Sequence, residues 1–314
     1  MNSQVVPIVF SFDRNLVFPA CVCFSSLLSN AKETTFYDIY VMFPAGEECD
    51  LSCFDRLKER YSNFRISIIR VDKLFENAFE IRGVTTPTYY RLAIPELFLQ
   101  FDKVIYADVD MIFRQDLAEV YQTNLENNYI AATYDLGMNL IEGWKQYVQA
   151  LPELVPGEYI QAGFLIMNCQ LLRKENVTEQ FKLYAKRKFK FQDQDILNIC
   201  CKGRIKILPW HFNMTDYAFS FINENPELLT EKYANSDVNE AKRIGNLHFN
   251  GHKPWKKFSV NFDIWWEYYR KSPFYDEKYY YQFYRERLNI FDQLSLWKRI
   301  KMVIRYFVYG RRNY

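Results

Sequence analysis

The stretch at 104–113, VIYADVDMIF, places two carboxylates, Asp108 and Asp110, in an otherwise apolar run. The apolar flanks predict a strand that is covered on both faces of a sheet. An unpaired buried charge is strongly unfavourable, so both carboxylates need a compensating partner. Side chains two residues apart on a strand point to the same side, which predicts that the pair holds one divalent cation. An aspartate that caps the turn after a strand is the alternative, and this stretch alone leaves it open.

The order of apolar and polar segments predicts an α/β fold. Strand-length apolar runs lie at 5–12, 36–43, 64–71, 103–113, 129–135, 163–168, 204–210 and 244–249. Helices are predicted between the first three runs, over 16–30 and over 50–63, and in the second of these apolar residues recur at helical spacing. Because alternation of strand and helix favours parallel pairing, we predict a mostly parallel, twisted sheet flanked by helices, with a helical C-terminal extension.

Composition argues against several classes of protein. Of the 314 residues, 49% are hydrophobic and 25% are charged, which is typical of a globular chain rather than a disordered one. The seven cysteines form no paired CxxC motifs, which argues against a disulfide framework or a structural zinc site and favours reduced thiols in the cytoplasm. The sequence shows no signal-peptide pattern and no apolar run of about 18 residues, so we expect neither export nor a membrane span.

The C-terminal part of the chain differs in composition from the rest. We predict a catalytic domain over 1–257 and an aromatic-rich, basic helical region over 258–314, with a helix break at Ser272-Pro273. The aromatic segment is expected to form one side of a ligand cleft, and packing in the core explains its residues nearly as well.

Residues 292–314 predict a basic amphipathic helix. They contain six basic residues and one acidic residue, in a chain whose net charge is only +2. The predicted apolar face consists of Leu296, Trp297, Ile300, Val303, Ile304, Phe307 and Val308. Such a helix suits peripheral contact with an anionic membrane, and docking on the protein's own core is the alternative. Because the rest of the chain is acidic overall, nucleic acid is not an expected partner.

Two further polar segments adjoin predicted strands and helices. Residues 11–15, SFDRN, lack the glycine patterns of dinucleotide- and phosphate-binding loops, and they offer polar groups to a base and a ribose. Residues 191–198, FQDQDILN, place two aspartates at a predicted helix start. Asp195 is expected to stabilise that start, whereas Asp193 is free to serve a ligand.

The segment at 248–255, HFNGHKPW, follows another predicted strand. It offers the imidazole of His248, the ammonium of Lys253 and a glycine that permits close approach of the backbone. Imidazole together with carboxylates suits Mn²⁺ better than Ca²⁺, and a lysine can meet a diphosphate as a point charge. For His248 alone, a hydrogen-bonded packing role is the alternative.

In this order and spacing, the polar segments resemble glycosyltransferase family 8, the retaining enzymes that include bacterial lipopolysaccharide galactosyl- and glucosyltransferases. The resemblance spans residues 5–255 and is carried by VFSFDRN (9–15), TTPTYYRL (85–92), VIYADVDMIF (104–113), QAGFLIMN (161–168), FQDQDILN (191–198) and HFNGHKPW (248–255). It implies the GT-A fold and transfer of galactose or glucose from a UDP-sugar to a hydroxyl of a saccharide or glycolipid acceptor. It also implies Mn²⁺ as cofactor, with Mg²⁺ possible, and a role in lipopolysaccharide or other cell-surface polysaccharide synthesis at the inner face of the cell membrane.

The resemblance implies a role for individual residues. The expected metal ligands are Asp108, Asp110 and His248. The expected contacts with the donor are Ser11, Asp13, Asn15, Asp108, Val109, Asp110, Gln161, Ala162, Gly251 and Lys253. The expected catalytic residues are Arg91, Asp135, Asp193 and Gln194. Many relatives have asparagine where Gln161 stands, and some have one more residue between Gly251 and Lys253.

Two functions other than sugar transfer are also compatible with a pair of aspartates. A phosphotransferase with a nucleophilic aspartate would usually have a hydroxyl residue soon after the pair, whereas Met111, Ile112 and Phe113 follow here. A non-catalytic module that binds nucleotide-sugars or carbohydrate is the remaining alternative, and the full set of expected metal ligands favours an enzyme. Because the amide of Gln194 is a poor nucleophile, we predict that retention proceeds by attack on the face from which UDP departs.

Overall fold

The computed structural model of the protein describes residues 4–72, 74–75, 78, 86–225, 233 and 238–309. Within them the strands are β1 (Gln4–Ser11), β2 (Thr35–Pro44), β3 (Phe64–Val71), β4 (Lys103–Ala107), β5 (Met111–Ile112), β6 (Ile130–Tyr134), β7 (Ile160–Asn168), β8 (Ile205–Ile207), β9 (Met214–Thr215) and β10 (Leu247–His248). Thr85 of the motif at 85–92 and residues 310–314 of the predicted basic helix lie outside the described residues.

Helices surround these strands. They are α1 (Val17–Ser29), α2 (Ile94–Leu97), α3 (Ala118–Tyr121), α4 (Leu136–Leu140), α5 (Glu142–Ala150), α6 (Cys169–Lys174), α7 (Val177–Ala185), α8 (Gln192–Cys200), α9 (Asp216–Glu224), α10 (Val238–Ile244), α11 (Phe262–Lys271), α12 (Glu277–Asp292) and α13 (Leu296–Tyr309). Short 3₁₀ helices lie at Arg14–Leu16, Ser52–Glu59, Thr86–Ala93 and Trp210–Phe212.

The main sheet has the strand order β3-β2-β1-β4-β7-β6-β8. Pairing is parallel from β3 through β2 and β1 to β4 and again between β6 and β8, while β7 runs antiparallel to both of its neighbours. Successive residues of β1 enter opposite layers of the core, with Ile8 and Phe10 on one side and Val9 on the other. The predicted mostly parallel sheet with both faces covered is therefore confirmed.

Strand β7 runs antiparallel to its neighbours, and this direction determines which chain segments lie together at one edge of the sheet. Parallel strands β1 and β4 end there, and antiparallel β7 begins there, so that Asp108 N–H donates to the carbonyl of Gly163 at 2.9 Å. The start of β7 thus lies directly beside the residues that follow β4. In open α/β sheets this edge is where ligands collect.

The prediction of one strand over 103–113 is wrong in its middle. The chain leaves the main sheet after Ala107, turns through Asp108–Asp110 and re-enters as β5 in a second, small sheet of order β5-β10-β9. Two carboxylates cannot stay in a strand that is buried on both faces without losing their solvation, and the turn brings them to the edge of the sheet. The pair converges because of this turn and not because of strand alternation.

The helix predicted over 50–63 is shorter and tighter than expected. It is a 3₁₀ helix over Ser52–Glu59, and Phe54 and Leu57 are its buried residues. Their spacing of three residues matches the three residues per turn of a 3₁₀ helix. The helix predicted over 16–30, by contrast, is confirmed within one residue at each end as α1.

The helices after residue 257 include the predicted break at Ser272-Pro273, between α11 and α12. Trp265 of α11 is buried and packs edge-on against Phe18 of α1, with ring centroids 5.8 Å apart. The aromatic segment therefore contributes to the core beside α1. The boundary between two domains at 257 stays a prediction.

Candidate active site

The three expected metal ligands lie together at the edge of the sheet. The ligand atoms of Asp108, Asp110 and His248 all lie within 4.8 Å of one another. His248 Nε2 is 3.2 Å from Asp110 Oδ1 and 3.7 Å from Asp108 Oδ2. Strand β10 pairs antiparallel with β5, which sets His248 opposite Met111 and hence beside the turn. Two carboxylates and one imidazole form a donor set that suits Mn²⁺ and leaves coordination positions for a ligand.

Gly163 permits this convergence. A Cβ at position 163 would lie 2.9 Å from Asp108 Oδ2 and would collide with the ring of His248. Any side chain there would therefore push the imidazole away from the carboxylates. The glycine of the motif at 161–168 has a steric role that the sequence left unassigned.

A relay of amides fixes the orientation of the His248 ring. His248 Nδ1 is 2.9 Å from Asn213 Oδ1, Asn213 Nδ2 donates to Gln161 Oε1 at 2.6 Å, and the same oxygen accepts the N–H of Gly163. Because Asn213 donates onward through its amino group, its oxygen is an acceptor, so Nδ1 of His248 carries a proton. Nε2 then faces Asp110 and Asp108. Burial lowers the pKa of His248, but these two carboxylates more than offset that effect. Asn213 was not expected from the sequence. Gln161 holds this relay through its side-chain oxygen, and its contact with the donor stays a prediction.

Arg91 is the buried cation of the site. Its guanidinium contacts Asp108 Oδ1 at 2.9 Å, Asp193 Oδ2 at 3.0 Å and the carbonyl of Ala162 at 2.6 Å. Burial lowers the pKa of Arg91, but Asp108 and Asp193 more than offset this effect, so the guanidinium stays charged. Tyr106, which sequence reasoning missed, lies under the guanidinium and donates to Asp108 Oδ1 at 2.7 Å.

The remaining expected catalytic residues adjoin Arg91. Gln194 Oε1 accepts the N–H of Ala162 at 3.0 Å, and Gln194 Nε2 donates to Asp135 Oδ2 at 3.2 Å. Burial raises the pKa of Asp193 to about 7, although Arg91 acts in the opposite direction, and burial also raises the pKa of Asp135. The expected catalytic set therefore forms one connected hydrogen-bonded network with the metal ligands.

Asp195 has the structural role that the sequence predicted for it. Its carboxylate accepts the N–H of Phe191, just before α8, at 2.9 Å, and accepts hydroxyl protons from Tyr147 and Tyr159 at 2.6 Å each. All of these partners hold the start of α8, the helix that carries Asp193 and Gln194. Asp195 therefore supports the site by stabilising the start of the helix on which Asp193 and Gln194 lie.

The loop after β10 lies against the metal ligands. Lys253 Nζ contacts Asp110 Oδ2 at 2.5 Å and the carbonyl of Phe249. Burial raises the pKa of Asp110, but Lys253 and His248 reverse this and hold it below its usual range. Across the loop, a Cβ at Gly251 would lie 3.2 Å from Asp216 Oδ2. Asp216 was not expected from the sequence, and burial raises its pKa to about 7 against the effects of His248 and Lys253.

The expected nucleoside contacts lie at the neighbouring end of β1. Ser11 Oγ donates to the carbonyl of Pro87 at 2.6 Å, and the buried Asp13 accepts the N–H of Asn15 at 2.9 Å. Asn15 itself is exposed in the turn that precedes α1. The side chain of Val109 is 2% exposed and packs in the core, which leaves only the main chain of this residue to face a ligand.

A comparison with known protein families decides which family the chain belongs to. The model of glycosyl transferase family 8 matches residues 7–259. The chain belongs to this family. Among curated relatives, this family-8 protein is 25% identical over 294 residues to general stress protein A of Bacillus subtilis, which covers 90% of this chain and 95% of the relative. It is 28% identical over 224 residues to the lipopolysaccharide 1,3-galactosyltransferase of Salmonella typhimurium, which covers 68% of this chain and 64% of that relative.

The fold of this family-8 protein is also that of a solved glycosyltransferase. The crystal structure of galactosyltransferase LgtC in complex with donor and acceptor sugar analogs superposes with a TM-score of 0.69 at 24% sequence identity. The match covers 87% of this chain and 99% of LgtC. The fold predicted from the sequence, GT-A, is thereby confirmed.

Proposed function

We propose that this family-8 glycosyltransferase transfers galactose or glucose, with retention, from a UDP-sugar to a hydroxyl of a saccharide or glycolipid. The observation that carries the proposal is the convergence of Asp108, Asp110 and His248 with the network of Arg91 and Gln194 on one edge of the sheet. Similarity to a lipopolysaccharide galactosyltransferase supports a role in the synthesis of lipopolysaccharide or another cell-surface polysaccharide.

The charges of the site support a divalent cation as cofactor. Five carboxyl groups lie at this edge, those of Asp108, Asp110, Asp135, Asp193 and Asp216. The permanent cations beside them are Arg91 and Lys253. Both cations are already held by carboxylates, so an anionic diphosphate would meet repulsion from Asp108 and Asp110 unless a further cation bound there. A cation on Asp108, Asp110 and His248 would remove this repulsion and would act as a Lewis acid toward the leaving UDP. The imidazole favours Mn²⁺, and the carboxylates would also accept Mg²⁺.

Lys253 would exchange one partner for another when the donor binds. Its ammonium now lies on Oδ2 of Asp110, the carboxylate that a metal would share. A metal on Asp110 would weaken the hold of that carboxylate on Lys253. The released ammonium would then be near enough to contact the diphosphate, together with the backbone at Gly251.

The contacts of Gln194 support transfer on a single face of the sugar. Its oxygen, the atom that would have to attack the anomeric carbon, already accepts the N–H of Ala162, and its amino group is held by Asp135. An amide oxygen bound in this way is a weak nucleophile. The dipole of the amide is nevertheless held in a fixed orientation in which it can stabilise positive charge. In this proposal Gln194 stabilises positive charge on the sugar, Asp193 and Asp135 bind its hydroxyls, and the leaving phosphate oxygen takes the proton of the acceptor.

The test is a screen of UDP-galactose and UDP-glucose for release of UDP with Mn²⁺, with Mg²⁺ and with EDTA. We expect release that depends on the metal and that rises when a saccharide acceptor is added. Asp110→Ala should abolish this release, whereas the matched control Asp55→Ala, which removes an exposed carboxylate paired with Lys58, should retain it. Binding of UDP and Mn²⁺ without turnover of any UDP-sugar would favour the non-catalytic module instead.

Retention is tested on the product and on the enzyme. The anomeric configuration of the product, measured by NMR, should match that of the donor. Mass spectrometry of the enzyme during turnover should detect no glycosyl adduct. An adduct on Gln194 or Asp193 would contradict transfer on a single face and would establish a covalent intermediate.

We further propose that α13 binds an anionic membrane from the inner face of the cell. Trp297 and Leu296 are 77% and 73% exposed, and Ile304 is exposed as well, beside the exposed lysines 298 and 301. Exposed apolar side chains flanked by cations suit the interface of an anionic bilayer. No helix in the described parts of the chain combines the length and apolar character that crossing a bilayer requires.

The membrane proposal has a direct test. The full chain and a variant that lacks residues 293–314 are sedimented with vesicles that contain phosphatidylglycerol, and with vesicles of phosphatidylcholine alone. We expect that only the full chain sediments, and that it does so only with the anionic vesicles. Equal sedimentation of the two proteins would show that α13 docks elsewhere.

A further inference from the structure

Two cysteines outside the active site lie in contact with each other. Cys21 Sγ in α1 and Cys53 Sγ in the 3₁₀ helix at 52–59 are 3.8 Å apart. All seven cysteines of the chain are free thiols in the structure. A displacement of the side chains would bring these two sulfurs to bonding distance.

The two thiols differ in exposure and in acidity. Cys21 is 3% exposed, whereas Cys53 is only partly buried and can be reached from solvent. The hydrogen bond from the Cys21 thiol lowers the pKa of Cys53, and the same interaction raises the pKa of Cys21 together with burial. The more exposed sulfur is thus the one that ionises first, and a thiolate is the reactive form of cysteine.

We propose that Cys21 and Cys53 form a reversible disulfide when the protein meets a hydroperoxide. The Cys53 thiolate attacks one peroxide oxygen, the O–O bond breaks, and one alcohol or water molecule leaves as Cys53 becomes a sulfenic acid. The Cys21 sulfur then attacks the Cys53 sulfur, the S–O bond breaks and water leaves. Two thiols lose two electrons in all, and the peroxide gains them.

The bond would join two elements that enclose the end of β1. Phe54 of the 3₁₀ helix packs edge-on against Phe12, with ring centroids 6.4 Å apart, and contacts Phe24 of α1 at 5.1 Å. Phe12 directly precedes Asp13, the proposed nucleoside contact. The disulfide therefore closes a covalent ring, from residue 21 to residue 53, around the side of the site that faces the nucleoside.

The proposal is tested on the full chain with hydrogen peroxide. We expect a loss of 2 Da in intact mass, a fall in titratable thiols from seven to five, and a linked pair of peptides that contain Cys21 and Cys53. Dithiothreitol should reverse all three changes. Because the ring restricts the unfolded chain, the oxidised protein should unfold about 5 °C higher than the reduced protein.

Three variants separate the proposed pair from other chemistry. Cys53→Ser should abolish the loss of 2 Da, whereas Cys49→Ser, which removes a nearby half-exposed thiol, should retain it. In Cys21→Ala the sulfenic acid on Cys53 has no neighbouring thiol, so dimedone should trap it. A disulfide between Cys49 and Cys53, or retention of the mass loss in Cys53→Ser, would overturn the assignment. Stable oxidation of Cys53 in the unmodified chain, with Cys21 still titratable, would overturn it as well.

Discussion

The active-site edge and the terminal helix α13 each contain an arrangement that is unfavourable in a folded protein, and the two arrangements are opposite in kind. The edge buries charge, since Arg91, Asp193 and His248 are removed from solvent. Helix α13 exposes apolar surface, including the indole of Trp297. Each arrangement is unfavourable by itself, and each is expected where a ligand or a surface completes the structure.

The two regions differ in how far the chain itself provides partners for the buried charges or cover for the exposed apolar side chains. At the edge, Arg91, Tyr106, Lys253 and the relay through Asn213 neutralise or orient most of the buried groups. On α13, the exposed fractions of Leu296 and Trp297 show that these side chains have little cover. The edge is therefore prepared for a small, charged ligand, whereas the membrane contact proposed for α13 would require a large surface. Changes at the edge should consequently have larger effects than changes on α13.

The largest effect is expected from Asp110→Ala. The change removes a proposed metal ligand and the partner of Lys253, so transfer should fall by about 10³-fold or more. The measurement is release of UDP from the preferred UDP-sugar at saturating Mn²⁺. Circular dichroism should show a folded protein, since Asp110 lies in a turn at the edge of the sheet. Turnover close to that of the unmodified enzyme would remove Asp110 from the metal site.

The second effect is on stability. It tests whether a cation of the chain itself stabilises the buried carboxylates of the active-site edge. Arg91→Met leaves Asp108 and Asp193 without their buried cation, which should cost about 3–5 kcal/mol in the free energy of unfolding. The measurement is urea denaturation without metal. Lys58→Met is the control, because it removes an exposed pair with Asp55 that is worth at most about 1 kcal/mol. Equal losses in the two variants would mean that the burial of Arg91 has no energetic consequence.

The third effect isolates the orientation of the imidazole. Asn213→Ala removes the acceptor that holds His248 Nδ1–H, so the affinity for Mn²⁺ should fall by about 10- to 100-fold. Titration followed by the electron paramagnetic resonance of free Mn²⁺ measures this directly. Asn213→Asp keeps an acceptor at this position and should lose less affinity than the alanine variant. Unchanged affinity in Asn213→Ala would show that the relay does not orient a ligand.

The smallest effect is expected on α13. Reversing Lys298 and Lys301 to glutamate should weaken binding to anionic vesicles by about 1 kcal/mol or more for each residue, since both are exposed on the helix. Lys58→Glu, at an exposed lysine of the 3₁₀ helix over Ser52–Glu59, is the matched control. Transfer to a soluble acceptor should not change, because these lysines lie far along the chain from the motifs of the site. Binding that is insensitive to both reversals would argue against an electrostatic membrane contact.

Local patterns were sufficient to predict the strands of the main sheet and helix α1. Their signals are periodicities within a dozen residues, which the surrounding structure reinforces. The same patterns misjudged 103–113, because an apolar run does not show where two carboxylates will force a turn. They also overestimated the helix at 50–63, where Leu51, Phe54 and Leu57 are spaced three apart and fit a 3₁₀ helix better.

The sequence by itself determined which chemistry the protein carries. Asp108, Asp110, His248 and Gln194 lie in motifs whose residue types and order are visible without coordinates, and the match to family 8 over residues 7–259 agrees with that reading. The tertiary structure alone decided which residues orient these groups: Asn213 behind His248, Tyr106 beneath Arg91, and Gln161 in the relay to Asn213. The physical reason is that ligand types are properties of single residues, whereas orientation depends on hydrogen bonds between segments up to 143 residues apart, as between Asp110 and Lys253.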